Sequence, residues 1–340
     1  MMNVRAARGV AASELLNLEN AIMSLRNWVA RVVLVAGMAA TFLLFPATGI
    51  SAGAQPSDID AWAAKIKRLA PGKPTVPLTT ARPHKALVFS LATGYQHTVI
   101  PFVDRMLEIV GQKAGVFQTT VTRDIEDLEA AKLAQYDLLI LNNNCSVGPR
   151  RNLFLDVLES AARYKNMSAA DRQAKSDALE NAILAFVRGG HGLVVIHGAP
   201  TLLNNSPKFT AMVGGAFDYH PPNQMVTVRV VEPSHPLLEA FHGKDSFVHR
   251  DEPYCFKGTY DKLDFRPLLV FDASTVKDKR GKFSKQPRYS AWIKPYGKGR
   301  VFYCSPSHFA MSYENPTLLR FVLDGIQYAA GDLKCDDSTP

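Results

Sequence analysis

Cysteine is scarce in this chain, with four among 340 residues. None falls in a CxxC, CxxCH or zinc-ribbon spacing. That excludes a thioredoxin-type redox site, a c-type haem and a cysteine-bound structural zinc. Cys145, Cys255, Cys304 and Cys335 are left as buried thiols or as one disulfide, and four cysteines allow three pairings. No run of Lys or Arg marks a nucleic-acid patch. The net charge of +8 comes from 39 basic and 31 acidic residues, with pairs such as Arg150-Arg151 scattered in loops. No GxGxxG follows a strand: Gly189-Gly190-His191-Gly192 has the composition of a phosphate loop but precedes its strand, so nucleotide binding is excluded. There is no HExxH, no internal repeat and no low-complexity segment. With 47% hydrophobic and 21% charged residues, the composition is that of a globular chain, not a disordered, collagen-like or coiled-coil one.

No apolar run reaches the roughly 20 residues of a membrane span. An uncharged apolar run at the N-terminus, Val32 to Phe45, has 14 residues, the length of a signal-peptide core. Arg26 and Arg31 flank it, and Ala52-Gly53-Ala54 supplies small residues for cleavage before Gln55. Met23 is a more natural start than Met1, because Glu14 and Glu19 are out of place in a leader. Residues 1–54 therefore read as a signal-peptide region. The expectation is a periplasmic or secreted protein with no stable membrane span after cleavage; a retained anchor is the alternative. Residues 55–84 hold Pro56, Pro71, Pro74, Pro77 and Pro83 and read as a linker or N-terminal arm, with a short amphipathic helix over Asp58–Leu69. Residues 85–331 form the domain and 332–340 a C-terminal tail.

Within the domain, short apolar runs alternate with helical patterns. Strands are predicted at Ala86–Leu91, Phe117–Val121, Asp137–Leu141 and Leu193–Ile196, the last uncharged and β-branched as a central parallel strand should be. Helices are predicted at Val99–Lys113, Asp124–Ala134 with Asp124 as N-cap, Leu153–Tyr164 and Ala169–Arg188, the last stopped by Gly189-Gly190. This alternation predicts a parallel sheet with helices on both faces. The second half changes character. Met225–Val231, Pro267–Phe271, Tyr289–Ile293 and Arg300–Cys304 read as further strands, with a hairpin turn at Gly297-Lys298-Gly299, before a final helix over Pro316–Ala330. The fold class is α/β: one flavodoxin-like, doubly wound domain whose mixed sheet carries an antiparallel extension.

Ligands of open α/β sheets gather at the carboxyl ends of the strands. Thr93-Gly94-Tyr95-Gln96-His97 follows the first strand, Asn142 to Asn144 the third, His197-Gly198-Ala199 the fourth, and Ser305-Pro306-Ser307-His308 the Arg300–Cys304 strand. Further motifs are Gly214-Gly215-Ala216-Phe217 with His220, His235-Pro236, and His249-Arg250-Asp251-Glu252-Pro253-Tyr254. A neutral imidazole serves as general base or metal ligand, and a neighbouring carboxylate sets its tautomer. Convergence of His197, His220, His308 and Glu252 would make an acid–base set or a divalent-metal site with an open position. His84, His191, His242 and His249 read as solvent-facing or capping residues, His235 as a turn residue and Trp292 as core.

The ordered motifs Gly189–Ala199, Gly214–Phe217 with His220, His235-Pro236, Asp251-Glu252 with Tyr254, and Gly297–Tyr303 with His308 resemble the ThuA-like (trehalose utilisation) family over roughly Lys85 to Gly331. The resemblance implies a class I glutamine-amidotransferase-like fold, a variant of the flavodoxin-like three-layer sandwich. It also implies a link to carbohydrate catabolism, including pathways through 3-keto sugars. True amidotransferases place a nucleophilic Cys on a sharp strand-to-helix turn and a His and Glu after a later strand. The corresponding turn here is Ile196-His197-Gly198, Cys304 sits inside a strand, and no His-x-Glu follows, so a Cys-dependent glutaminase is excluded. The chain departs from the family pattern at Ser307, where Gly is usual before the late His. Gly allows close backbone approach, so this corner of the site is expected to be tighter.

The reading is an exported protein acting on a sugar or keto-sugar by isomerase, lyase or glycoside-cleaving chemistry. His197 and His308 are the catalytic acid–base pair and Glu252 orients or assists them. Tyr95, His97, Asn143 and His220 line the pocket and Tyr254 stacks on the sugar. His197, His220 and His308 are the candidate ligands of a divalent metal, zinc or manganese. The partner is a small-molecule carbohydrate. Two alternatives are a non-catalytic carbohydrate-binding or scaffold module and a metal-dependent hydrolase.

Overall fold

A computed structural model describes residues 56–340; the expected signal-peptide region lies outside the described residues. Along the chain run α1 (Pro56–Leu69), β1 (His84–Phe89), α2 (Ile100–Ala114), β2 (Phe117–Thr122), α3 (Ala130–Leu133), β3 (Leu138–Asn142), α4 (Leu153–Ser160), α5 (Ala169–Arg188), β4 (Gly192–Ile196) and α6 (Pro207–Val213). Then follow β5 (Ala216–Tyr219), β6 (Gln224–Val230), β7 (Ser246–Asp251), β8 (Cys255–Lys257), β9 (Arg266–Phe271), β10 (Tyr289–Tyr296), β11 (Gly299–Cys304) and α7 (Pro316–Ala330).

Nine strands make one sheet in the order β2-β1-β3-β4-β11-β10-β9-β6-β7. The first five are parallel, and β10, β9, β6 and β7 continue antiparallel. This is the expected flavodoxin-like winding with an antiparallel extension. β5 and β8 form a separate two-stranded ribbon. β3 and β4 are buried along their whole length, as their uncharged sequences LLILN and GLVVI require.

Side chains of a strand alternate between faces, and here the alternation divides the core in two. Ala86, Val88, Leu138, Ile140, Val194, Ile196 and Phe302 pack with α1, α2 and α7. Leu87, Phe89, Leu139, Leu141, Leu193, Val195 and Tyr303 pack with α4, α5 and α6 on the opposite face. α7 lies close to β11: a Cβ on Gly325 would come within 2.1 Å of the Phe302 ring, so only Gly fits. Pro316 and the Asn315 cap start this helix and Gly331, at φ +85°, ends it.

Some elements differ from the sequence expectation. The stretch 124–134 is a 3-10 turn followed by the single-turn α3, broken at Glu129, whose backbone is extended. That break coincides with the Glu129 carboxylate meeting Lys175 of α5 at 2.9 Å. The sequence pattern does not predict β5, β7, β8 or α6. β7 (SFVHRD) alternates exposed and partly buried residues at the sheet edge, so it lacks the apolar signature of the inner strands.

Residues 56–84 dock on the domain. Ile66 of α1 is fully buried, and Trp62 meets Phe102 of α2 edge-on with ring centres 5.1 Å apart. The arm then runs along α7. The Thr75 N–H donates to Gln327 Oε1 at 2.7 Å and the Thr79 N–H to Asp332 Oδ1 at 2.8 Å. His84, expected at the surface, is buried, because its Nε2 meets both Asp332 oxygens at 3.1 and 2.9 Å. His249, also expected outside, is largely buried on β7. His235 caps a 3-10 turn at Pro236, and Trp292 is fully buried, both as expected. Among the described residues no helix is long and apolar enough to cross a membrane.

Candidate functional site

The ends of β4 and β11 are held in register, Ile196 beside Cys304, and the His197 N–H donates to the Cys304 carbonyl at 2.9 Å. His197 sits on the sharp turn leaving β4, in the left-handed region at φ +47°. Such a conformation is uncommon for a non-glycine residue and gathers at functional positions. Asn143, at the end of neighbouring β3, is also left-handed at φ +53°. Its Oδ1 accepts from Gly198 N–H at 3.4 Å and its Nδ2 donates to Asn142 at 3.1 Å. Fully buried, Asn143 holds the turn and presents no free surface to a ligand.

Three other chain segments bring their side chains to His197. His97 arrives from the loop after β1, Glu252 from the end of β7 and His308 from the loop after β11. The Asp251 carboxylate ties the last two segments together: its Oδ1 accepts the Glu252 N–H at 2.9 Å and the His308 N–H at 3.3 Å. His197 Nε2 lies 3.2 Å from His308 Nδ1 and 3.6 Å from Glu252 Oε2. His308 Nδ1 is 3.1 Å and His97 Nε2 4.0 Å from the same Glu252 oxygen. All four residues are buried, and each offers one ligand atom within 4.8 Å of the others, so the group could hold a metal ion.

Hydrogen bonding fixes the His197 tautomer. Its Nδ1–H donates to the Ser305 carbonyl at 2.9 Å, which leaves Nε2 with a lone pair facing the cluster. Burial pushes the His197 imidazole down to about 3 and lowers His97 as well, so both are neutral near pH 7. Burial alone would raise Glu252, but the His197, His308 and His97 imidazoles around it outweigh that and hold it far below the usual carboxylate range. Behind it, burial raises the Asp251 carboxyl well above its ordinary value. The site is thus one carboxylate ringed by imidazoles in a dry setting.

The remaining expected residues form its rim. His220 is one-third exposed; its Nδ1–H donates to the Pro221 carbonyl at 2.8 Å, and its Nε2 lies 3.8 Å from Glu252 Oε2. It stands outside the four-membered group, whose other members are His97 and Glu252 beside the expected ligands His197 and His308. Tyr254 is buried, with its ring against His197 at 4.5 Å and His220 at 5.4 Å, so its face is taken up by imidazoles. Tyr95 is 61% exposed and meets His97 edge-on at 4.7 Å, so its ring is open to a ligand.

Sequence reasoning did not connect Asp251 or Cys145 with the site. Cys145 Sγ lies 3.7 Å from His97 Nδ1 and 3.7 Å from the Gly198 carbonyl, so it backs the His97 ring. A Cβ on Gly198 would come within 2.7 Å of that sulfur and 2.9 Å of His97 Cε1, which is why Gly follows His197. All four cysteines are free thiols. Burial pushes the Cys145 thiol up to about 11 and Cys304 higher, away from a reactive thiolate.

The nine-stranded sheet has the class I glutamine-amidotransferase-like form of the flavodoxin-like fold, with His197 on the sharp turn leaving β4. The chain belongs to the ThuA family, described as trehalose utilisation, whose model matches residues 85–329. Solved structures of two ThuA-like proteins share the fold. One from Bacteroides uniformis is 18% identical, with a TM-score of 0.54 over 74% of this chain and 94% of that one. One from Parabacteroides merdae is 16% identical, with a TM-score of 0.52 over 76% and 94%. No curated protein matches the sequence.

Proposed function

We propose that this protein is an exported carbohydrate-active enzyme of the ThuA family that acts on a sugar or keto-sugar by proton transfer next to a carbonyl. The observation that carries the reading is the convergence of His197, His308 and Glu252 in a buried cluster at the carboxyl ends of β4 and β11. His197 Nε2, bare because Nδ1–H is spent on Ser305, is the atom that takes a proton. His308 Nδ1 is the atom that returns one, and the Glu252 anion stabilises whichever imidazole is charged. Tyr95 supplies an exposed ring at the rim for a sugar face, and His220 supplies a polar group beside it. Isomerisation, elimination and glycoside cleavage all use this proton traffic. The 14-residue apolar run at Val32–Phe45 supports a periplasmic or secreted setting.

The test is a screen of 3-keto glycosides for turnover by the wild-type chain, His197→Ala and His308→Ala. Product from wild type and none from either variant supports the reading. Sugar binding without product, and without pH dependence near neutrality, would establish a non-catalytic carbohydrate-binding module instead. Unchanged turnover in both variants would remove the acid–base assignment. The buried His97 Nε2, which has no hydrogen-bond partner, favours a second reading in which a zinc or manganese ion at this cluster supports hydrolysis.

A further inference from the structure

The lone pairs of the cluster do not add up without a cation. His197 Nε2 is an acceptor, because its other nitrogen donates to Ser305. Glu252 Oε2 faces all three imidazoles, at 3.1, 3.6 and 4.0 Å. His97 has its Nδ1 against Cys145 Sγ at 3.7 Å, which directs the proton there and turns a bare Nε2 inward. That Nε2 is buried, 4.0 Å from Glu252 Oε2, and has no hydrogen-bond partner. Only the His308 Nδ1–H is left to serve three inward-facing acceptors, at 3.1 Å from Glu252 and 3.2 Å from His197. Buried acceptors without donors are destabilising.

We infer that His97 Nε2, His197 Nε2, His308 Nδ1 (its proton moved to Nε2) and Glu252 Oε2 are the ligands of one divalent transition-metal ion, with His97 and not His220 completing the set. The spacings fit. Bonds of about 2.1 Å place tetrahedral ligand atoms roughly 3.4 Å apart; four of the six separations here are 3.1, 3.2, 3.6 and 4.0 Å, and all six lie within 4.8 Å. The Nδ1–H of His197 on the Ser305 carbonyl is the outer contact that orients a metal-bound histidine. Three imidazoles and one carboxylate select zinc, manganese or a similar ion over magnesium and calcium, which take oxygen ligands. His220, one-third exposed with a bare Nε2 at 3.8 Å from Glu252, stays outside as a proton-transfer group at the mouth.

The inference rests on the second, metal-dependent reading given above and deepens it; under it His197 and His308 are ligands and not the proton carriers of the first reading. It is tested by titrating the chelator-treated chain with zinc chloride and manganese chloride in a calorimeter, with magnesium chloride as the control. The expected result is one zinc or manganese ion per wild-type and per His220→Ala chain, at least tenfold weaker binding by His97→Ala and His97→Gln, and no magnesium binding. Thermal melts of all variants identify any that fail to fold, and His97→Gln preserves packing if His97→Ala does not. No zinc or manganese bound by the wild type, or loss of binding in His220→Ala with retention in the His97 variants, overturns the assignment. Sugar turnover by a metal-free chain would overturn it too while leaving the acid–base reading standing.

Discussion

Two buried His–carboxylate contacts in this protein have the same ingredients and opposite character. At the seam between the N-terminal arm and α7, His84 Nε2 meets Asp332 at 2.9 Å, and Asp332 Oδ1 also accepts from the Thr79 N–H and hydroxyl at 2.8 and 2.7 Å. Several donors converge on one carboxylate. At the mouth of the sheet, three imidazoles surround the single Glu252 oxygen at 3.1 to 4.0 Å, and His97 Nε2 is left without a partner. A satisfied pair holds the fold together, whereas an unsatisfied one is maintained by the surrounding structure for a purpose other than stability. The contrast separates the two places where burial does not, since both are buried.

The comparison breaks most visibly in function. His197→Ala and His308→Ala are expected to lower turnover by about a thousandfold or more while changing stability by less than about 1 kcal/mol, or raising it, since strained sites trade stability for activity. Turnover assays paired with urea denaturation check this, and a large stability loss with normal turnover would reverse the roles of the two sites. His84→Ala does the opposite. Removing one partner of a buried hydrogen bond to a carboxylate costs about 1–3 kcal/mol, so its urea midpoint should fall while metal content and turnover per folded molecule stay at the wild-type level.

The seam has one flaw that sharpens the comparison. Asp324 of α7 is buried, its Oδ1 accepts from the Thr75 hydroxyl, and its Oδ2 has no partner. Burial pushes its carboxyl up to about 7, against the opposing pull of Thr75 and Arg320. The folded value lies above the unfolded one, so the folded protein holds an extra proton between about pH 4 and pH 7. Stability from this group is therefore greatest in acid and falls as pH rises through 7, by a few kcal/mol at most. Melting temperatures of wild type and Asp324→Asn from pH 5 to 8 test this: the substitution should remove the decline, and an unchanged slope would exclude Asp324 as its source.

A modest stability loss is expected at Gly198→Ala. Its new Cβ would crowd Cys145 Sγ and His97 Cε1 at 2.7 and 2.9 Å. Overpacking of this kind costs about 1–3 kcal/mol, but it displaces the His97 ring directly, so zinc affinity should drop at least tenfold. Calorimetry on the folded variant checks it; undiminished affinity would show that His97 does not coordinate.

The contrast between the two sites also marks what could be read from sequence. The parallel half of the sheet was legible because β3 and β4 are continuous apolar runs and their helices carry caps and glycine stops. His197, His308 and Glu252 were legible as a set because they follow strand ends, or stand beside a glycine and aromatic motif, in a fold that gathers ligands there. β7 was not legible, since an edge strand with alternating exposure and four polar residues lacks a strand's apolar signal. Asp251, which locks Glu252 to the His308 loop, went unassigned with it. His97 was read as a lining residue and His220 as a ligand, because the sequence shows which imidazoles lie near the sheet edge but not which nitrogen is left bare. The partnership of His84 with Asp332 spans 248 positions and leaves no local pattern.

The most direct test is an anomalous-difference map, at the zinc absorption edge, from crystals of the protein grown with zinc chloride. A single peak within about 2.0–2.3 Å of His97 Nε2, His197 Nε2, His308 Nδ1 and Glu252 Oε2, with none at His84 and Asp332, is the predicted result. A peak bound through His220 in place of His97, a peak at the seam, or no peak at the cluster would contradict the account.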